Sequence, residues 1–420
     1  MKDYLDRELR AVLAELGGVP EDFALEFETP ANPDHGDLAT NTAMRLARHL
    51  RRAPRQIADD LAARLTARLD PRRVAGVEVA GPGFINFRFA DAYLYRELAD
   101  LLAAGKAYGR SDIGQGKTAL VEYVSANPTG PLTVGHGRNA VLGDTVANLL
   151  AWTGHAVTRE YYFNDAGRQM RVLGESVRAR YHELLADLDM EPYLDLSGGR
   201  RARWEAHLDA YDTKFLEGDD GAEIEVPASF PEDGYRGEYI YDVARALIDE
   251  HGLDLLDEES AEPFKKAAEK AIFADIERTL KRLRIEMDSF FNEHSLYESE
   301  AVWEVVERLR EQGYVYEKDG ATWFRTSALG KEQDTVLVKS TGEPTYRLPD
   351  IAYHRDKFER GFDVLVDVFG ADHIATYPDV ERGVRLLGYD ADRIEVVIYQ
   401  FVTLVRGGEP VKMSTRKANY

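Results

Sequence analysis

Cysteine is absent from the 420-residue chain. No disulfide can form and no thiolate can bind zinc, so a structural metal would have to use histidine and carboxylate ligands, and no structural zinc is expected. No run of about 18 or more apolar residues occurs. The N-terminus, MKDYLDRELRAVLAEL, is a charged amphipathic pattern without the apolar stretch or cleavage site of a secretory signal. A cytoplasmic protein without membrane contact is expected. Lysine is sparse beside arginine among the 53 cationic residues, and these are outnumbered by 75 acidic ones, giving a formal charge of −22. Such a surface repels phosphate in general, so a polyanionic partner has to meet a local basic patch. The acid excess suits salt adaptation, and a GC-rich genome accounts equally well for the arginine bias. There is no repeat of fixed period, and the one biased tract is a short acidic break near residue 219.

What is present organises itself along the chain. A 44% hydrophobic content over this length supports two or three domains. Residues 1–110 begin with helical patterning, continue through the periodic IADDLAARLTARL, and reach VEVAGPGFINFRF, where alternation about Gly81, Pro82 and Gly83 predicts two strands and a tight turn. This is an α+β N-terminal domain, with GRSDIGQGK as a linker. From Lys117 a buried strand (TALVEYVS), a Pro/Gly loop, a helix (RNAVLGDTVANLLAWTG) and a second strand (AVTREYYF) make a βαβ unit over 111–175. Residues 176–290 are charged and mostly helical, an insertion. Over 291–420 the alternation resumes with LPDIAYHRDKFERG, FDVLVDVFG, DHIATYPDVERGVRLLG and RIEVVIYQFV. The expected fold is α/β: a Rossmann-type, doubly wound parallel sheet split by a helical insertion.

Two segments carry chemistry. TVGHGRN, Thr133–Asn139, stands where a strand-following loop enters a helix, the place where free backbone N–H groups and the helix dipole favour phosphate. Alone, a histidine between glycines is more often a packed or turn histidine. Far downstream Lys412, Met413, Ser414, Thr415 and Arg416 follow a strand and a Gly-Gly turn, and supply mobile cations for a triphosphate. Alone they read as a solvated basic turn. Together, at opposite ends of a split α/β domain, they resemble the HIGH and KMSKS signatures of class I aminoacyl-tRNA synthetases. VEYVSANPTGPLTVGHGR, YYFNDAGRQM, DGYRGEYI, PTYRLPDIAYH and FGADH, with HGDLATN and VAGPGFINF in the N-terminal domain, resemble the arginine-specific family across essentially the whole chain.

The resemblance implies an arginine–tRNA ligase that activates L-arginine with ATP and Mg²⁺ and transfers it to the 3′ end of arginine tRNA. In-line attack of a carboxylate on the α-phosphate needs positioning and charge neutralisation, not a protein nucleophile. His136 is then expected to hydrogen-bond the phosphate that gains charge, with Gly135 and Gly137 allowing close approach and Lys412 and Arg416 gripping the outer phosphates. Thr133 stands where the first HIGH histidine is usual, and Thr415 where the second KMSKS lysine is usual, which shifts the load to His136 and to Lys412 or Arg416. A planar, permanently charged guanidinium calls for buried carboxylates. By resemblance these are Glu122 and Asp350, with Tyr346 one helical turn before Asp350, Ser125 and Asn127 holding the α-amino and carboxylate groups, and Asn164 and Asp165 shaping the pocket. Desolvated carboxylates would reject lysine and ornithine by about 10⁴ without an editing site.

The N-terminal domain resembles the family module that meets the outer corner of tRNA, with Arg45, Arg48, Arg51, Arg52 and Arg55 as its phosphate contacts, or else a solvated face. The family continues past its second signature into a helical anticodon-binding domain, whereas this sequence ends at Tyr420, and it is among those whose ATP step needs bound tRNA. A monomer is expected. Two rival classes are a nucleotidyltransferase acting on another cationic carboxylate, disfavoured by the N-terminal domain and by Glu122, Tyr346 and Asp350, and a non-catalytic tRNA-binding relative, disfavoured by His136 and the KMSTR loop.

Overall fold

The computed structural model describes all residues except 18, 21, 22, 219–221, 412 and 414–420. The chain divides into two compact units, Met1–Gly109 and Arg110–Tyr420.

In the first unit, helix α1 (Lys2–Leu16) precedes strand β1 (Leu38–Thr40), helices α2 (Thr42–Leu50) and α3 (Pro54–Arg68), strands β2 (Val74–Ala80) and β3 (Phe84–Phe89), and helix α4 (Asp91–Ala104). The strands form an antiparallel sheet of order β1-β3-β2. Gly83, at φ 141°, turns β2 into β3, a backbone conformation that side chains rarely adopt, and an added β-carbon would crowd the backbone of Pro54 at 3.1 Å. Leu5 and Leu9 of α1, Leu46 of α2, Ile57, Leu61 and Leu65 of α3, and Ile85 and Phe87 of β3 close a core of their own.

The second unit starts with β4 (Thr118–Glu122), α5 (Val134–Trp152), β5 (Ala156–Phe163) and α6 (Gly167–Leu185). An insertion follows: α7 (Arg200–Ala210), a hairpin of β6 (Thr213–Glu217) and β7 (Glu223–Pro227), α8 (Glu238–His251) and α9 (Glu262–Arg282). Next come β8 (Ser289–Asn292), α10 (His294–Glu298), α11 (Ala301–Glu311) and a small antiparallel sheet of β9 (Val315–Lys318), β10 (Ala321–Phe324) and β11 (Thr335–Val338). The unit ends with α12 (Arg347–Glu359), β12 (Val364–Gly370), α13 (Tyr377–Leu386), β13 (Ile394–Tyr399) and a second hairpin, β14 (Leu404–Arg406) with β15 (Glu409–Val411).

Five strands make one parallel sheet of order β8-β5-β4-β12-β13. The first strand, β4, is central. The chain winds outward through β5 and β8, then returns to the other side of β4 for β12 and β13, so winding reverses between β4 and β12. In open α/β sheets that reversal leaves a crevice beyond the strand C-termini. Period-two alternation covers both faces: Leu120 and Leu365 pack with α11, α12 and α13, while Val121, Val366 and Val368 pack with α5, α6, α8 and α9.

The doubly wound reading of the catalytic half therefore holds, with three additions. A β-hairpin, β6–β7, lies inside the otherwise helical segment. The third strand of one wing is the four-residue β8, SFFN, too short to show a period beside the 21-residue helix α9. The small sheet β9–β11 was also not foreseen, because its strands of four residues each lie among charged turns.

Candidate functional site

The crevice floor is built from charge. Strand register sets Asp367 of β12 beside Glu122 of β4, and Glu122 beside Glu160 of β5. These three carboxylates stand abreast on neighbouring strands and are 0%, 4% and 0% exposed, respectively. Like charges directly opposite one another destabilise a sheet unless they are neutralised. Helix α12 supplies the countercharge because His354, Lys357 and Arg360 recur at spacings of three along one face. The fully buried Lys357 ammonium donates to Glu122 Oε2 and to Asp367 Oδ1, both at 2.6 Å. Imidazole Nε2 of His354 lies 2.7 Å from Asp367 Oδ2. Arg360 forks onto Glu160 with two bonds of 2.7 Å, and the Tyr353 hydroxyl donates to the same carboxylate at 2.6 Å. Burial works against the Asp367 carboxylate, yet Lys357 and His354 hold it well below the usual aspartate range. Burial likewise opposes the Lys357 charge, and Asp367 and Glu122 outweigh it, so the ammonium stays protonated. Glu122, which shares Lys357 with the better-served Asp367, is pushed up by burial.

Above this floor the loop after β4 runs to α5. Ser125 Oγ donates to Glu122 Oε1 at 2.9 Å and accepts from the Tyr162 amide at 3.2 Å. Asn127 accepts from the Asn164 amide at 3.1 Å and donates to Gln169 at 3.3 Å. Asn164 donates to Glu293 at 2.6 Å, and Asn292 donates to Asp165 at 2.9 Å. The loop and the β5 exit are therefore tied into one wall.

Asp350, in the first turn of α12, differs from every other acid here. Its carboxylate makes no hydrogen bond or ion pair with a described residue, although it is half-buried. Burial raises its pKa to about 7; His354 and Lys357 act against that shift, and Glu122 and Glu293 reinforce it. Both oxygens of Glu122 are already engaged, by Ser125 and Lys357. Glu293, which has no cation either, is served by Tyr162 and Asn164, so Asp350 is the acid here without any partner among the described residues. Tyr346, by contrast, is 74% exposed at the helix start, and in this structure its ring does not join the carboxylates.

Helix α5 opens beside this wall. Thr133 is its N-cap and His136 its third residue, and they form a reciprocal capping box. The Thr133 amide donates to His136 Nδ1 at 3.1 Å, and the His136 amide donates to Thr133 Oγ1 at 3.4 Å. Because Nδ1 accepts, the ring proton sits on Nε2. Burial lowers the imidazole pKa, so the ring is neutral near pH 7. No atom lies within 4 Å of where a Gly137 side chain would begin, and at Gly135 the nearest is Thr133 Oγ1 at 3.5 Å. The helix start, with its outward N–H groups, is therefore open to an anion. Lys412, Ser414, Thr415 and Arg416 lie outside the described residues, and Met413 is half-buried. Among the described residues no group of three or more histidines and carboxylates is placed to hold a metal ion.

Several contributors had escaped the sequence reading: Asn139, Glu160, Glu293, His354, Lys357, Arg360 and Asp367. One signal was legible, an aspartate inside the apolar run VLVDVFG, since a charge in a central strand needs a buried partner. In the other unit, Arg45 stacks on Phe23 and pairs with Glu26, Arg52 pairs with Asp60, and Arg55 donates to Gly81 O. Arg48 and Arg51 have no ion-pair partner among the described residues.

Residues 3–89 match the family model described as "Arginyl tRNA synthetase N terminal domain", and residues 97–198 and 236–420 match "tRNA synthetases class I (R), catalytic domain". An arginine–tRNA ligase of Salinibacter ruber is 60% identical over 420 residues, covering 100% of this chain and 71% of the relative. One from Desulfotalea psychrophila is 53% identical over 393 residues, covering 94% and 64%. The Thermus thermophilus arginyl-tRNA synthetase structure shares the fold, with a TM-score of 0.61 at 23% identity over 95% of this chain and 66% of that one. No helix among the described residues is long and apolar enough to cross a membrane.

Proposed function

The chain belongs to the class I arginyl-tRNA synthetase family, and from that premise we propose that it works as an arginine–tRNA ligase, converting L-arginine and ATP to arginyl-adenylate and pyrophosphate and passing arginine to the 3′ end of arginine tRNA. The observation that carries the assignment to this crevice is Asp350: a half-buried carboxylate, unpaired among the described residues, at the switch point of the sheet and among acids that already have ion-pair or hydrogen-bond partners. A guanidinium satisfies it by charge and by a two-pronged donor set. Glu122 shapes the same end through its remaining lone pairs, and Ser125 and Asn127 line the approach for the amino-acid head group.

ATP lies along the α5 N-terminus. His136 Nε2–H, fixed in that tautomer by the Thr133 amide, donates to the α-phosphate oxygen that gains charge. The open helix start offers the Gly135 N–H to the phosphates, while Gly137, whose own N–H donates to Thr133 O, leaves room for their close approach. Lys412 and Arg416 supply the remaining positive charge. Mg²⁺ bound with ATP would neutralise charge on the leaving pyrophosphate. The N-terminal unit meets tRNA through Arg48 and Arg51, whose side chains are not committed to internal ion pairs. The same reading makes the protein a cytoplasmic monomer.

The test is arginine-dependent exchange of labelled pyrophosphate into ATP, with and without arginine tRNA, and with lysine and ornithine as controls. Exchange with arginine alone among the amino acids supports the ligase. Equal exchange with lysine or ornithine would overturn the role given to Asp350.

A further inference from the structure

Where β4 ends, its ladder with β12 ends as well. The last in-register pair is Glu122 with Asp367, and beyond it the strands part to open the crevice. The next turn of β4 is strained. Val124 has φ 69° and Ser125 φ 43°, and the Ser125 amide donates to Tyr123 O at 3.0 Å across Val124. A two-residue-closing bond with positive φ at its centre is a γ-turn of the rare, strained hand. A β-branched residue is the least suited to that conformation. Something outside the turn must hold it.

Asn139, on the second turn of α5 and 5% exposed, reaches into the fork between the parting strands. Its Oδ1 accepts from the Val124 amide at 2.7 Å, and its Nδ2 donates to Val368 O of β12 at 2.8 Å. Both partners are backbone groups of fixed role, so the orientation of the carboxamide is unambiguous. In effect one side chain bridges the strands where the fork has opened, taking up the Val124 N–H and adding a bond to the Val368 C=O. What hangs from the turn is Ser125, whose hydroxyl bonds Glu122 and receives the Tyr162 amide.

We propose that Asn139 is a positioning residue that locks the strained Val124–Ser125 turn across the switch point, and through Ser125 and Glu122 sets the wall of the arginine pocket. The second half of this inference rests on the arginine reading above; the first does not. A small side chain that only packed would not need both polar atoms satisfied at once. Gly143, one turn further along α5, already provides the packing, with its α-carbon pressed on the Tyr123 ring.

The experiment compares wild type, Asn139→Ala, Val124→Gly and the double variant by hydrogen exchange, thermal unfolding and the KM values for arginine and ATP in tRNA-supported pyrophosphate exchange. Glycine adopts positive φ freely, so Val124→Gly should fold and remove most of the need for the clamp. Asn139→Ala should speed exchange at the amides of 124 and 125 selectively, and raise the arginine KM by about ten-fold or more while moving that for ATP little. In the Val124→Gly background the same substitution should change the arginine KM by about two-fold or less. Equal effects in both backgrounds, or exchange that rises uniformly along α5, would overturn the positioning role. Selective exchange with an unchanged arginine KM would keep the clamp and remove its link to arginine. Absence of arginine-dependent activity in wild type would count against the functional reading alone, since the exchange data still decide the clamp. Should Asn139→Ala fail to fold, the Val124→Gly background supplies the comparison, and failure there too would refute strain as the reason for Asn139.

Discussion

If Asp350 accepts the guanidinium, arginine binding has to release a proton. Burial sets the free carboxyl near 7, against an ordinary value of 3.8. The groups facing it are Glu122, Glu293, His354 and Lys357. A bound guanidinium favours the ionised form, so the carboxyl loses its proton on binding. A pKa of about 7 leaves Asp350 about nine-tenths protonated at pH 6, half at pH 7 and about one-tenth at pH 8. Titration calorimetry in two buffers of different ionisation enthalpy should therefore report about 0.9, 0.5 and 0.1 protons released per arginine, with the Kd falling roughly ten-fold from pH 6 to pH 8. The sign for stability is fixed by the same shift. An acid whose folded value is raised contributes stability that is full below about 4 and is lost as pH rises through about 7. Arginine should accordingly raise the unfolding temperature more at pH 8 than at pH 6. Asp350→Asn should abolish the proton release and weaken arginine by about 100-fold or more. A flat Kd with no buffer-dependent heat across this range would refute the reasoning.

Asp350→Ala should raise the arginine KM greatly and leave that of ATP nearly unchanged; equal loss for both would move Asp350 out of the pocket. Lys357→Met strands Glu122 and Asp367 without their shared cation and should cost about 3–5 kcal/mol in urea unfolding, part of which returns with Glu122→Gln; a loss under about 1 kcal/mol would mean water already serves these carboxylates. His136→Ala should lower kcat for exchange by about 100-fold while arginine binding by calorimetry stays put, and a change in arginine affinity alone would refute the phosphate role. Gly143→Ala places a carbon 2.2 Å from the Tyr123 ring. It should destabilise the unit by about 1–3 kcal/mol or more in thermal unfolding, and wild-type stability would show that α5 can slide.

The parts of this molecule legible in its sequence are those set by local pattern. Buried apolar runs mark β4 and β12, partly buried β-rich segments mark β5 and β13, and the capping pair Thr133 and His136 lies within a single helical turn, so its chemistry travels with the string TVGHG. Glu122 and Asp350 are candidates by resemblance, and no periodicity would have singled them out. β8 and the β9–β11 sheet were missed because strands of four residues carry too little alternation to stand out from charged surroundings.

Residue types and spacing alone determined that α12 would carry an acid, a histidine, a lysine and an arginine on one side, since 350, 354, 357 and 360 are separated by three or four. Whether those charges faced water or a core was decided only by the tertiary structure. Parallel pairing brings Asp367, Glu122 and Glu160, up to 245 residues apart in the sequence, into one lateral row, and helix α12 lies over it. Register between strands is a long-range choice that no local pattern encodes, and it is this choice that gives Glu122, Asp367 and Glu160 their cations and leaves Asp350 without one.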